Sequence, residues 1–368
     1  MKLRSFGLWR ALLPILLGFG LAAGSAFAAN SYQVHNLVSD GGVPADHHDD
    51  NLKNGWGIAM SATSPTWVAD NGTGHSTLYD GLGNPLSLVV TIPAASGNDQ
   101  GTPTGIVFNN SSDFVVRSGT ASGAARFIFA SEDGLISGWS PGVDATHAIH
   151  AVFMAAAVYK GLAIASNAGA NMLYAADFHG RKIDVYNSHF APVKIPGGFV
   201  DPTVPANYAP FNIIALGGRL YVAYAQKEED GDDEVAGPGL GIVDAYDTAG
   251  HLLQRIATGG TLNAPWGMAI APANFGDFGT RLLVGNFGDG TINAYDIASG
   301  TFQGQLRTPD GQILSIDGLW GLAFGNGANN QPTTTLFFAA GPNDEANGVY
   351  GKIEAVPPSL PALTPKRR

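Results

Sequence analysis

Apolar positions along this chain recur in short runs in which large and small residues alternate, separated by Gly, Asp, Asn and Pro, a pattern of strands and tight turns. One phrase returns again and again: Gly55-Trp56-Gly57-Ile58-Ala59, Pro103-Thr104-Gly105-Ile106-Val107, Tyr159-Lys160-Gly161-Leu162-Ala163, Pro265-Trp266-Gly267-Met268-Ala269 and Leu319-Trp320-Gly321-Leu322-Ala323. Pro210-Phe211-Asn212-Ile213-Ile214 is a weaker copy. The central residues stand at 57, 105, 161, 212, 267 and 321. That spacing, roughly 50 residues, is one propeller blade per period with some insertion.

Each phrase is followed by a second strand, as in Thr66 to Asp70, Phe127 to Ser131, Leu173 to Asp177, Leu220 to Tyr224, Leu282 to Asn286 and Leu336 to Ala340. Glu132-Asp133-Gly134, His179-Gly180 and Asp289-Gly290 then supply tight hairpins into third strands. Outer strands are expected at Leu86 to Ile92, His147 to Phe153, Leu252 to Ala257 and Phe302 to Arg307. The last repeat provides three strands before the chain turns to proline, and Tyr32 to Val38 is expected to supply the fourth. An N-terminal strand completing the C-terminal blade closes the ring and protects its edges. The expectation is an all-β, six-bladed β-propeller, with seven blades as the alternative if an insertion hides one.

Composition narrows the partners. Of 368 residues, 45% are hydrophobic and only 13% charged, against about 25% charged in an average domain. A net charge of −11 argues against nucleic acid, whose phosphates are bound by Lys and Arg. The absence of cysteine excludes disulfides, thiolate metal sites and a cysteine nucleophile. Lys2, Arg4 and Arg10 precede an apolar run from Ala11 to Ala23 and the triplet Ala26-Phe27-Ala28, the form of a secretory signal peptide. The run is too short to span a bilayer, which takes about 20 residues. The expected organisation is a signal peptide at 1–28, one propeller domain at 29–355 and a Pro-rich tail at 356–368. The protein is thus expected to be exported, to periplasm or medium, with no membrane span, and to be a monomer.

The stretch Leu173-Tyr174-Ala175-Ala176-Asp177-Phe178-His179-Gly180-Arg181-Lys182-Ile183-Asp184-Val185-Tyr186 resembles an NHL repeat, and the Trp-Gly-x-Ala phrases resemble that repeat's first strand. From about Tyr32 to Ala355 the chain resembles a family of secreted bacterial propellers, through Asn54-Gly55-Trp56-Gly57-Ile58-Ala59 and Ala340-Gly341-Pro342-Asn343-Asp344-Glu345-Ala346-Asn347-Gly348. This resemblance implies the fold; it leaves function open, because propellers host binding scaffolds and enzymes alike.

In a propeller the loops entering the innermost strands converge on one mouth of the central channel. Trp56, Lys160, Asn212, Trp266 and Trp320 are expected to gather there, either as a ring that stacks a sugar, lactone or aromatic ligand or as blade-to-blade packing. Asp70, Glu132, Asp177 and Asn286 fall where second strands end, and serve either as oxygen ligands for Ca²⁺ or Mg²⁺ or as turn residues. Asp46-His47-His48-Asp49-Asp50 offers metal ligands, Asp49 and Asp50 among them, or a solvated loop. The acidic run Glu228 to Glu234 lacks the order of an EF-hand and reads as a solvated loop. Asn343, Asp344 and Glu345 interrupt the final blade and are the acidic cluster singled out for ligand binding, with Asp344 and Glu345 also weighed as metal ligands.

No nucleophile elbow, zinc-protease motif or P-loop is present. Two functions remain. One is a non-catalytic propeller that binds a small molecule, glycan or envelope protein at the channel mouth. The other is a hydrolase similar to the gluconolactonase-type propellers, in which a divalent ion in the channel polarises a lactone carbonyl and activates water. Those enzymes carry an acidic ligand ahead of the first-blade Trp, where this chain has Lys53-Asn54-Gly55.

Overall fold

The computed structural model describes residues 31–96 and 100–356. The expected signal peptide lies outside the described residues, as does the expected tail beyond Val356. Six radial sheets surround one axis. The repeated phrases form the innermost strands: Gly55–Ala59, Pro103–Phe108, Tyr159–Asn167, Tyr208–Leu216, Pro265–Ile270 and Leu319–Phe324. Each pairs antiparallel with its second strand, and the chain steps outward from there.

The ring closes as the repeat count requires. Ser31–Ser39 pairs antiparallel with Val349–Val356, Tyr32 facing Ala355, and becomes the fourth strand of the sixth blade, with His47–His48 added in parallel beyond it. The other outer strands are less regular than the alternation suggests. In the first blade only Val90–Thr91 pairs, and the third blade has a two-residue outer strand, Pro192–Val193. The second blade carries an extra hairpin, Val115–Ser118 with Ala121–Ala124. In the fourth blade the acidic run folds back on itself, with Lys227 facing Glu234 and Gln226 facing Val235 across a short ladder.

The repeated phrase has a mechanical role. Strand pairing slips at it in every blade, between Gly55 and Ile58, Tyr159 and Gly161, Pro210 and Asn212, Pro265 and Met268, and Leu319 and Leu322, and opposite Phe129 to Ser131 in the second blade. Such bulges re-aim a side chain, here turning Trp56, Trp266 and Trp320 to the axis. The motif glycine is set by close approach. A Cβ on Gly57 would stand 2.5 Å from the Thr104 carbonyl oxygen, and one on Gly321 would stand 2.5 Å from that of Trp56. Asn212 takes the glycine's place in the fourth blade, and its side-chain amide donates to the Trp266 carbonyl at 2.8 Å.

Between blades the core is aliphatic and aromatic, as where Trp67 stacks on Phe127 at 4.1 Å between the first and second blades. The axial contact allows a direct test. Gly321→Ala should lower stability by about 1–3 kcal/mol, the usual cost of forcing atoms into a filled core. Gly142→Ala, with open space around its Cβ, should change it by less than about 0.5 kcal/mol. Urea melts of both variants measure this, and equal midpoints would remove the steric reading of the motif.

Candidate functional site

Where the innermost strands begin, bulged side chains from several blades meet on the axis. Trp56 and Trp320 stack at 3.6 Å, and Trp266 packs edge-on to both at 6.0 and 5.6 Å. Phe287 stacks on Trp320 at 4.0 Å, and Phe211 bridges from Trp320 to Phe178. Trp56, Trp266 and Trp320 are all buried, so their faces serve one another and leave none for a sugar. The Trp320 indole donates to Asn54 Oδ1 at 3.1 Å and the Trp266 indole to the Lys160 carbonyl at 2.9 Å, while the buried Trp56 N–H has no protein partner.

Lys160 stands on this aromatic plug, its ammonium 5.2 Å from the Trp56 ring centre and 5.8 Å from that of Phe178. Its side chain is only 3% exposed, and a buried ammonium needs partners. Three carboxylates provide them: Glu132 at 3.0 Å, Asp233 at 3.4 Å and Glu234 at 3.9 Å. Burial pulls the lysine's pKa down, but Glu132 and Glu234 outweigh it and hold the ammonium more firmly protonated than usual. Glu234 is itself pushed up by burial, with Lys160 opposing. Beside them Lys227 and His179 share Asp232, each at 2.8 Å.

Glu345 is the odd member. Burial, then the charges of Glu234 and Glu132, lift its carboxyl to about 7, with only partial relief from Lys160. It is delivered by a strained turn: Asn343, Asp344 and Glu345 are three successive non-glycine residues with φ of 59°, 52° and 62°. Left-handed backbone costs an ordinary side chain such as that of Glu345 roughly 1–2 kcal/mol, and Asn and Asp less, and the turn is held from outside. The Asn343 amide donates to Asp317 at 2.9 Å, its side chain donates to Asn347, and Asn347 donates in turn to Asp40.

The structure therefore brings Trp56, Lys160, Trp266, Trp320 and Glu345 to one mouth, with Asn212 just inside it. Asn343 and Asp344 form the exposed outer part of the turn. Asp49 and Asp50 have other partners: Asp49 accepts from Tyr79 at 3.0 Å and from Asn51, and the exposed Asp50 pairs with His48 at 3.0 Å. Among the described residues no three His, Asp or Glu side chains are arranged to hold a metal ion. The lactonase comparison implies one, and the donors do not fit it. The space a cation would take between Glu132, Asp233 and Glu234 holds the Lys160 ammonium, and the Asn54 oxygen is bonded to Trp320.

Glu132 differs from the acids grouped with it by sequence. Asp70 and Asp177 bind backbone within their own hairpins, and Asn286 donates to Asp289. The strand register shows why: Gly55 faces Asp70, but Pro103 faces Ser131, so Glu132 lies one position further on. The equivalent positions are Asn71, Phe178, Ala225, Phe287 and Gly341. Phe178, Ala225 and Phe287 belong to the plug cluster and Asn71 donates to Glu132 at 2.9 Å. The residue one past each second strand was the signal that would have found them.

Because the folded chain holds the Glu345 proton more tightly than the unfolded chain does, this group subtracts stability as pH rises from about 4.5 through about 7. Glu345→Gln should match the parent near pH 4.5 and exceed it at pH 8 by about 1–2 kcal/mol, after allowance for solvent screening. Denaturant midpoints at the two pH values check this, and a pH-independent difference would refute it.

No family model matches the chain. It is 34% identical over 338 residues to the uncharacterised protein L690 of Acanthamoeba polyphaga mimivirus, an alignment covering 89% of this chain and 86% of that protein. Among solved structures it is similar to virginiamycin B lyase from Staphylococcus aureus, with TM-score 0.52 and 14% identity over 89% of this chain and all of that one. It is also similar to the PQQ-bound aldose sugar dehydrogenase from Streptomyces coelicolor, with TM-score 0.53 and 13% identity over 89% of this chain and 99% of that one. At such identities these two show a shared propeller fold and nothing of their chemistry. With a third of its residues shared across most of both proteins, the chain belongs to the family of mimivirus protein L690.

Proposed function

We propose that this protein is an exported, non-catalytic binding propeller whose acidic channel mouth captures a small molecule through a positively charged amino group. One observation carries the reading. Charged side chains from the second, third, fourth and sixth blades converge on one point, with five carboxylates (Glu132, Asp232, Asp233, Glu234, Glu345) around two ammonium groups, Lys160 and, paired with Asp232 over the same Phe178 ring, Lys227. Local turn chemistry gives no reason for such convergence between blades. It leaves the mouth electron-rich, and Glu345 is the carboxylate whose charge is least compensated. An incoming ammonium would relieve that repulsion and find carboxylates to accept its hydrogen bonds, which are strong when both partners are charged. The raised, fully protonated Lys160 is a poor nucleophile, which supports binding over covalent catalysis.

Thermal shift and calorimetry with ethanolamine and cadaverine, both protonated at pH 8, against glucose as the neutral control, test the proposal. Amines should raise the melting temperature at pH 8, since a ligand that binds only the folded state stabilises it. The shift should shrink at pH 5.5, where Glu345 is protonated, and disappear in Glu345→Gln. An equal response to glucose, or an unchanged response in the variant, would sink the amine reading.

A further inference from the structure

The plug divides the channel. On the side away from Lys160 there is a blind well of about 390 Å³, bounded at its inner end by Trp266 and Asn212 and reaching a rim at Met60, Phe108, Phe324 and Asn326. We infer that this well is a second binding site, for an uncharged, mainly apolar small molecule.

The wall is regular. The residue after each motif glycine, or after Asn212, lines it: Ile58, Ile106, Leu162, Ile213, Met268 and Leu322, one long aliphatic side chain per blade. Neighbouring positions are small in three blades, at Ala59, Ala163 and Ala323, which leaves the volume open. No charged side chain lines the well. Its two polar side chains are already engaged: Asn212 with the Trp266 carbonyl and the Ile213 amide, Asn326 with the carbonyls of Ser61 and Ser64 and the amide of Ala328. A charged guest would be desolvated there without a partner, a cost that excludes it. An apolar guest suits the wall, and the volume lies within the roughly 300–1,000 Å³ of small-molecule pockets.

The mouth of the well is also prebuilt. Asn326, Asn329 and Gln331 of the sixth blade bond to the loop around Ser61, Thr63 and Thr66 of the first, at 2.8 to 3.0 Å. A rim fixed before binding spares a ligand the cost of ordering it. This site lies on the other side of the plug from the acidic mouth, further along the same innermost strands, and takes an uncharged guest where the mouth takes a cation.

Phenylnaphthylamine, a neutral dye that brightens in apolar surroundings, is the probe. Titration of the folded protein should raise its emission at least several-fold, with saturation at one dye per chain. Ala323→Trp, at a half-buried lining position, should abolish the rise, and Met60→Lys at the rim should weaken it at least tenfold; melting curves establish that both variants fold. Glu345→Gln should leave dye binding unchanged, which keeps this site's failure distinct from failure of the amine reading. Absence of saturable emission from the parent, or parent-like emission from a folded Ala323→Trp, would overturn the inference.

Discussion

Everything at the centre of this protein follows from how closely its innermost strands approach one another. At Gly57, Gly267 and Gly321 the backbone of one blade rests against a carbonyl of the next, at Gly105 against the Leu162 amide and at Gly161 against the Asn212 side chain, with no room for a side chain. Packed interiors transmit such a constraint, because neighbours cannot give way cheaply. The pinch coincides with the slip in strand pairing, and the slip turns the adjacent tryptophans to the axis. A channel that would otherwise pass through the ring becomes two chambers of opposite chemistry. Asn212 supports this account: where the glycine is replaced, a side-chain hydrogen bond to the same neighbouring carbonyl takes over the contact.

The acidic chamber contains its own cation. Removing either partner of a buried ion pair is far more damaging than never having built it, because the survivor is left charged and unhydrated. Lys160 cannot be understood apart from Glu132 and Glu234, nor they without it. Glu345 stands outside that mutual dependence. It is supplied by a turn whose backbone is unfavourable and which is held by Asp317, Asn347 and Asp40. Strain sustained from outside persists only where the surrounding structure over-determines the conformation.

Much of the fold was legible in the sequence, because blade period, hairpin residues and the missing fourth strand are local or countable. The gathering of Trp56, Lys160, Trp266 and Trp320 follows from the same count. What escaped depends on register. A bulge shifts which residue faces inward by one, and alternation alone does not show where it falls. By alternation Glu132 therefore groups with Asp70 and Asp177, and nothing in it marks Phe178 or Phe287 as facing the axis. The acidic composition around Asp233 and Glu234 suggests a solvated loop, because the ladder that folds it inward, Lys227 against Glu234, is only two residues long. Asp49 and Asp50, attractive as ligands by adjacency, find Tyr79 and His48 instead.

The closing strand gives the chain a particular order of events. Ser31–Ser39 is among the first described segments to be synthesised, and its partner Val349–Val356 is the last. Pairing elements so far apart in sequence is slow, since the entropy of closing the loop precedes any reward. For nearly the whole of synthesis the first strand lacks the partner that seats it in the ring, its other ladder being two residue pairs to His47–His48, and five blades stand as an open arc with raw edges at both ends. Such edges invite pairing with other chains. A protein built in this way gains from being kept unfolded until its end has been made, so that the ring is sealed in one cooperative event.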